Sequence, residues 1–260
     1  MRPSRGESEP TRMNDPSLLD FDWPLPAGVH AAFTTRLGGV SPSPWDSFNL
    51  AAHVGDDPVH VAANRTRLRE LLKLDAEPAW LNQVHEIAVR NVDGAQFSPI
   101  PFTADAAVSS GAGAACVVMV ADCLPVLFCS RDGQRVGAAH AGWRGLVAGV
   151  LESTVAAMGV PGYELRAWLG PAISQNHFEV GDEVREAFVN SDRAAISRFR
   201  MNTRGRWQAD LAGLARLRLA SLGVSDISGG NWCTYADREQ FYSHRRDKKG
   251  GRMAALIWRD

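Results

Sequence analysis

The segments ACVVMVADCLPVLFCS at residues 115–130 and VGAAHAGWRGL at residues 136–146 decide the fold. Each contains short apolar runs of the length of buried strands, bounded by polar or turn-forming residues. We predict strands at 115–121, 126–129 and 135–140, with further strands before them at 79–83, 87–92 and 105–109. The middle of the chain therefore forms a sheet.

Helical patterns flank this sheet, because apolar residues recur there at a spacing of three or four and the segments end near glycine or lysine. The predicted helices cover 58–73, 146–158, 182–189 and 210–222, and additional strands cover 31–35, 165–169, 207–209, 225–227 and 253–258. Since no regular helical crossovers separate the central strands, we expect an α+β fold with a mixed sheet and helices packed outside. We predict a flexible tail at 1–20 and a single catalytic domain at 21–260.

Composition excludes several classes of protein. The 260 residues carry a net charge of -1, which leaves no electrostatic footprint for nucleic acid or an anionic membrane. The apolar stretch at 114–129 is interrupted by Asp122 and Pro125 and is too short to span a bilayer. The first twenty residues lack the apolar core of a secretory signal, and the four cysteines form no C-x-x-C pair. We therefore expect a cytoplasmic protein with a small-molecule partner.

Three apolar segments end with metal-binding side chains, at His85, Cys123 and His140. Two histidines and one cysteine are the ligands of some catalytic zinc sites and also the equatorial ligands of blue-copper centres. Their separations match no local finger motif, so a metal site requires the strand ends to converge in the folded protein. A closed structural zinc site would need a fourth ligand, for which His53 and His244 are available.

Cys123 has two other interpretations. It is either a small buried hydrophobe or a nucleophile activated by His140 or His85. Asp122 argues against simple burial, because a carboxylate inside an apolar run is costly to bury unless it is paired or faces a site. The presence of two histidines and the absence of a cysteine-protease signature favour the metal.

Eight ordered segments resemble the purine nucleoside phosphorylase family of laccase-domain proteins, formerly labelled polyphenol oxidases, over residues 28–258. They are TTRLGGVS (34–41), FNLAAHVGDD (48–57), LNQVH (81–85), ADCLPVL (121–127), AAHAGWRGL (138–146), LGPAIS (169–174), FEVG (178–181) and FYSHRRD (241–247). One departure is Glu86, where many relatives have glycine. It leaves the ligands intact, but the local loop geometry and the substrate preference do not follow from the resemblance at this position.

The resemblance implies that His85, Cys123 and His140 bind one Zn²⁺, in a fold also likened to a toxin cysteine-hydrolase domain. It implies phosphorolysis of adenosine, inosine, guanosine or methylthioadenosine to free base and ribose 1-phosphate, with adenosine deamination as a second activity. An amidohydrolase acting on peptidoglycan precursors is the alternative associated with bacterial members. Copper in the same site would make a polyphenol oxidase, although seven histidines are too few for a multicopper laccase.

Phosphorolysis needs cations for phosphate and a group for proton transfer. We assign phosphate binding to Arg36, beside a glycine turn, and to Arg144, at the start of a helix. The zinc-deaminase signature H-x-E with P-C-x-x-C is absent, so another carboxylate must act in deamination. Asp122 and Asp105 are the candidates for acid/base work. The expected substrate contacts are Asn49, His53, Asp105 and His244, and the sequence leaves the oligomeric state open.

Overall fold

The computed structural model describes residues 15–94 and 101–260, and its strands lie mainly in two packed sheets. The strands are β1 (Val29–Phe33), β2 (Leu81–Asn82), β3 (Val89–Asn91), β4 (Phe102–Thr103), β5 (Ala106–Ser109), β6 (Cys116–Val120), β7 (Leu124–Ser130), β8 (Val136–Ala141), β9 (Leu165–Leu169), β10 (Glu179–Val180), β11 (Phe199–Met201), β12 (Trp207–Ala209), β13 (Asp226–Gly229) and β14 (Met253–Arg259). The helices are α1 (Pro58–Leu71), α2 (Trp143–Ala148), α3 (Val150–Met158), α4 (Asp182–Ser191), α5 (Leu211–Ser221) and α6 (His244–Asp247).

The larger sheet has six strands in the order β13-β9-β7-β8-β5-β3, with parallel pairs at both edges and antiparallel pairs between them. A three-stranded antiparallel sheet, β1-β14-β6, packs against one of its faces. The remaining strands form two small sheets, β10-β12-β11 and β2-β4. The mixed sheet and the α+β class are thereby confirmed.

Strand β7 shows why the central segment is apolar throughout. Val126 and Phe128 pack among residues of the helices α3 and α5, whereas Leu127 and Cys129 pack on the opposite face with residues of β6 and β14. Alternate side chains point to opposite faces of a strand, so a strand buried on both faces must be apolar at every position. Every residue of β7 is buried.

The metal-ligand segment lies where the chain passes between the two sheets. Strand β6 belongs to the three-stranded sheet and β7 to the six-stranded sheet, so Asp122 and Cys123 form the corner that joins them. Asp122 adopts a left-handed backbone conformation with φ 90°. Pro125 is paired with His140 on β8, which brings the second ligand segment beside the corner.

Two expectations about local structure need correction. The helix predicted at 146–158 is interrupted at Gly149, whose φ of 106° ends α2 and begins α3. Of the predicted tail, residues 1–14 lie outside the described residues, but Leu19 is buried and donates a backbone hydrogen bond to Phe33. The stretch at 15–20 is therefore packed against the domain and is not a tail. Across residues 15–94 and 101–260, no helix has both the length and the apolar character needed to cross a membrane.

Candidate metal centre and active site

His85, Cys123 and His140 converge in space. Their potential ligand atoms all lie within 4.8 Å of one another, and the Cys123 Sγ is 3.8 Å from the His85 Nε2. Tetrahedral zinc with bonds of about 2.0–2.3 Å requires ligand atoms roughly 3.5 Å apart. The three side chains are slightly farther apart than this and could hold a metal ion after small movements of the side chains. Within the described part of the chain, no further histidine, cysteine or carboxylate belongs to this cluster, so neither His53 nor His244 closes it.

Asp105 holds two of the three ligands in place. Its carboxylate is fully buried, and it accepts a 2.8 Å hydrogen bond from the His140 Nδ1, which leaves the other ring nitrogen for a metal. The same carboxylate accepts backbone N–H bonds from Val84, His85 and Glu86 at 2.8–3.1 Å. These bonds fix the turn in which His85 has a φ of 64°.

The ionisable groups of the cluster shift one another. Burial opposes formation of the Cys123 thiolate, but the positive charge of His140 and hydrogen bonds from both histidines outweigh it and lower the pKa of Cys123 to about 6. Burial likewise disfavours the His140 imidazolium, but the Cys123 thiolate and Asp105 raise the pKa of His140 to about 9. The pKa of Asp105 is lowered by its hydrogen bonds against the effect of burial. Without a metal, Cys123 and His140 thus form an ion pair near neutral pH.

Asp122 is buried beside the cluster and is held by two donors. The Thr234 hydroxyl donates to its Oδ1 at 2.7 Å, and the backbone N–H of Arg245 donates to its Oδ2 at 2.6 Å. Its carbonyl oxygen accepts the Ile173 N–H at 3.0 Å. Asp122 therefore joins the corner before Cys123 to three segments that are distant in sequence. This role explains why a carboxylate interrupts the apolar run.

A cavity of about 140 Å³ adjoins the cluster on the side of Cys123. Its walls are mainly apolar, with a polar edge at one side. The lining residues are Ala121, Asp122, Cys123, Trp143, Ile173, Phe178, Leu211, His244 and Arg245. Such a combination of aromatic walls and a few polar groups suits a small organic ligand.

The predicted phosphate-binding arginines differ in their surroundings. The Arg36 guanidinium donates to the carboxylate and the carbonyl of Asp46, at 3.0 Å each, and to the Arg238 carbonyl at 3.1 Å. Arg36 is therefore held between Asp46 and the Arg238 segment with its charge paired, so a phosphate would have to compete with Asp46 for it. Arg144 is exposed at the start of α2, with its guanidinium over the ring of Trp143, a cavity residue.

The expected substrate contacts separate into two groups. His244 lines the cavity. The pKa of His53 is lowered by burial first, then by the positive charges of Arg252 and Arg65, and to a smaller extent by that of His140, so His53 lies near the cluster. Asn49 and Asp105 are fully buried instead. Their side chains hydrogen-bond to neighbouring protein groups, and direct substrate contact by Asn49 and Asp105 stays a prediction.

Sequence reasoning missed Arg252. Its backbone N–H donates to the Asn49 Oδ1 at 3.0 Å, and its guanidinium donates to the carbonyls of Gly250 and Gly251. Burial lowers the pKa of Arg252, while the negative charges of Cys123 and Asp122 oppose that shift. The positive charge of Arg252 is therefore felt by Cys123 and Asp122. No local spacing connects it with Cys123, because only the folding of β14 beside β6 brings the two together.

A mixed two-sheet domain that gathers two imidazoles and a thiolate beside an apolar cavity has the architecture of the laccase-domain proteins. Residues 30–260 match the family model described as multi-copper polyphenol oxidoreductase laccase, and the chain belongs to this family. The resemblance noted from the sequence is confirmed.

Similar proteins are named as purine nucleoside phosphorylases and not as laccases. A purine nucleoside phosphorylase of Pseudomonas aeruginosa is 53% identical over 241 residues, covering 92% of this chain and 97% of that protein. The purine nucleoside phosphorylase YfiH of Escherichia coli is 52% identical over 241 residues, covering 93% and 98% respectively. Among solved structures, a Neisseria meningitidis protein matches with a TM-score of 0.89 and 48% identity, covering 94% of this chain and 99% of that one.

Proposed function

We propose that the protein is a zinc-dependent purine nucleoside phosphorylase that also deaminates adenosine, with adenosine, inosine, guanosine and methylthioadenosine as its nucleoside substrates. The names of its relatives support the phosphorylase. The observation that carries the proposal is the cluster of His85, Cys123 and His140 beside an apolar cavity. Zinc held by these three residues would supply a Lewis acid with an open coordination position.

The cavity supports a flat heterocyclic ligand. Trp143 and Phe178 provide aromatic walls on which a purine can stack, and Ile173 and Leu211 exclude water from it. In our proposal His244 donates a proton to the departing base, since it is the imidazole that lines this cavity. Asp122 positions the corner before Cys123, because its carboxylate oxygens already accept hydrogen bonds from Thr234 and Arg245.

The phosphate is assigned to Arg144 and Arg252. Arg144 is exposed beside a cavity residue, and Arg252 carries its positive charge next to Cys123 and Asp122. A phosphate oxygen bound there would attack the ribose C1′, the bond from C1′ to the purine nitrogen would break, and the base would leave with the proton from His244. Positioning the two reactants together would contribute to the acceleration.

The test is a substrate screen of the purified protein with and without phosphate, combined with metal analysis. We expect about one zinc per chain, and formation of ribose 1-phosphate only when phosphate is present. Cys123→Ala should lose both metal and activity, whereas His30→Ala should keep both, because His30 pairs with Asp260 away from the cluster. Phosphate-independent consumption of adenosine without any ribose 1-phosphate would overturn phosphorolysis.

The two proposed phosphate ligands are tested by charge-conserving substitutions. Arg144→Lys and Arg252→Lys should raise the KM for phosphate about tenfold and change the KM for nucleoside much less, because an ammonium ion cannot replace the bidentate guanidinium. Adenosine deamination uses water and should change less than phosphorolysis. Arg204→Lys is the matched control, since Arg204 is an exposed arginine paired with Glu179. An unchanged phosphate KM in both variants would contradict the assignment.

A cysteine hydrolase acting on an amide of a peptidoglycan precursor is the second candidate, and one observation favours it. Cys123, His140 and Asp105 form a connected thiol, imidazole and carboxylate, and the pKa of the thiol is lowered. This is the arrangement of an activated nucleophile. Rapid loss of activity on alkylation of Cys123 in zinc-loaded protein would favour this function, whereas zinc protection of both the thiol and the activity supports the phosphorylase.

A further inference from the structure

The four cysteines lie in three chemically different environments. Cys116 and Cys129 are buried in the core, where burial raises the pKa of both thiols, that of Cys129 to about 12. Cys123 belongs to the metal cluster. Cys233 is partly exposed and has polar side chains around its sulfur. It is therefore the cysteine outside the metal cluster that combines accessibility with a reactive setting.

Three polar groups surround the Cys233 sulfur. The Ser174 hydroxyl donates to Sγ at 3.0 Å, and the Ser174 backbone N–H donates to it at 3.4 Å. The His177 Nδ1 lies 3.5 Å from Sγ and 3.3 Å from the Ser174 hydroxyl. The ring of His177 stacks on Tyr235 with 4.7 Å between centroids, which holds the imidazole in this position. A base and two donors thus face one sulfur atom.

The backbone around this cluster is also fixed. Cys233 forms a parallel bridge with Ala172, and the N–H of Thr234 donates to the Ala172 carbonyl at 3.0 Å. The N–H of Asp237 donates to the Cys233 carbonyl at 3.0 Å. The geometry of the thiol is therefore set by the fold and does not depend on a flexible loop.

We propose that Cys233 is a regulatory modification site that forms a mixed disulfide with a low-molecular-weight disulfide and thereby weakens the metal centre. In the exchange, the His177 Nδ1 takes the thiol proton, and the sulfur attacks one sulfur atom of the incoming disulfide. The disulfide bond of that molecule breaks, and its other half leaves as a thiolate that takes a proton from His177 or solvent. One disulfide replaces another, so no further oxidant is required.

The connection to the metal centre is a short series of hydrogen bonds. Thr234 follows Cys233 directly, and its hydroxyl holds the carboxylate of Asp122, the residue before Cys123. On the other side of the cluster, Ile173 precedes Ser174 and donates its N–H to the Asp122 carbonyl. In our proposal an adduct on Cys233 displaces the Ser174 hydroxyl, which donates to the sulfur, and with it Ser174 or the 233–234 segment. Either movement disturbs a support of the corner that carries Cys123.

The test uses the zinc-loaded protein and glutathione disulfide, followed by mass spectrometry of the intact chain and its peptides. We expect a single glutathione adduct on Cys233, reversed by dithiothreitol, and absent in Cys233→Ser. The adduct should lower the affinity for zinc about tenfold, measured by competition with a chelator, as the loss of an outer support of a metal ligand does. Neither measurement needs enzymatic activity. The zinc measurement rests on the metal site of the proposed function, whereas the adduct on Cys233 does not, so failure of the two proposals can be distinguished.

Two variants distinguish a base from a structural residue. His177→Ala and His177→Gln should both slow formation of the adduct at least about tenfold, because neither side chain accepts the thiol proton. Gln keeps a polar side chain in the packed site and guards against a folding defect. His30→Ala, a partly exposed histidine elsewhere, should react at the normal rate. Labelling of another cysteine first, an unchanged rate in both His177 variants, or an adduct that leaves zinc affinity unaltered would each overturn the proposal.

Discussion

Replacing Asp105 by asparagine should separate the metal centre from the remainder of the fold. The carboxylate accepts four hydrogen bonds, from the His140 ring and from the backbone N–H groups of Val84, His85 and Glu86. An asparagine offers one oxygen in place of two, and its NH₂ group would face two of these donors. Because Asp105 is fully buried, water cannot replace the missing acceptor.

The expected cost follows from these contacts. Each buried donor left without an acceptor costs about 1–3 kcal/mol, so two such donors reduce the free energy of unfolding by about 2–6 kcal/mol. Against a total stability of about 5–15 kcal/mol, this loss is large but leaves a folded protein over most of the range. Zinc affinity should fall about 10- to 100-fold, since His140 loses its orientation and the His85 turn loosens.

Asp93→Asn is the matched control for this change. Asp93 also binds a loop through its carboxylate, accepting bonds from the hydroxyls of Ser109 and Ser110 and from the Gly111 N–H, at the opposite end of β5. It should lower stability in urea unfolding but leave zinc affinity, measured by chelator competition, unchanged. Equal zinc affinities of the wild type and Asp105→Asn, or equal losses in both variants, would refute the reasoning.

Three further measurements test the electrostatics and packing of the centre. Because folding lowers the pKa of Asp105, its carboxylate stabilises the fold above about pH 4, and this contribution is lost as the pH falls through the folded-state pKa. In urea unfolding at decreasing pH, the wild type should therefore lose stability more steeply than Asp105→Asn. In metal-free protein, the rate of Cys123 alkylation, followed by peptide mass spectrometry, should reach half its maximum near pH 6. His140→Ala should move this midpoint towards pH 9.0. An unchanged midpoint would show that His140 does not lower the pKa of Cys123. A Cβ on Gly142 would lie 2.9 Å from the Cys123 Sγ, so Gly142→Ala should lower zinc affinity at least about tenfold in the same chelator assay. Gly250→Ala is the control and should not lower it, because the nearest contact of its Cβ is at 3.6 Å. Equal zinc affinities of the two variants would contradict the crowding argument.

The clustering of His85, Cys123 and His140 could be predicted because each ends an apolar run of the sequence and carries a side chain that binds metals, and their role as ligands stays a prediction. The mixed sheet could be predicted for a similar reason, since β7 and β8 consist mostly of apolar and small residues and are buried over their whole lengths. The helix at 146–158 was predicted without its break, because the sequence shows an apolar period through Gly149 but does not show the left-handed backbone there.

The supporting residues could not be predicted, because their roles depend on contacts between distant segments. Asp105 was expected to contact substrate, whereas it binds three backbone N–H groups some twenty residues earlier in the chain. Arg36 was expected to bind phosphate, and no signal in the sequence indicated that the fold pairs it with Asp46. Arg252 reaches the centre only through the pairing of β14 with β6. Short motifs reveal residue types, and the partners of those residues emerge only on folding.

The two proposed functions use the same three side chains in different ways, and metal occupancy distinguishes them. With zinc bound, the Cys123 thiolate is a ligand, His140 must be neutral at its coordinating nitrogen, and Asp105 orients it from the other side. Without zinc, the thiolate and the imidazolium form an ion pair beside the cavity, which is the resting state of a cysteine nucleophile. Cys123 is the one ligand of the three that also lines the described cavity. Any substrate bound in that cavity therefore meets the Cys123 sulfur either as part of a metal centre or as a free nucleophile, and alkylation with and without zinc distinguishes the two.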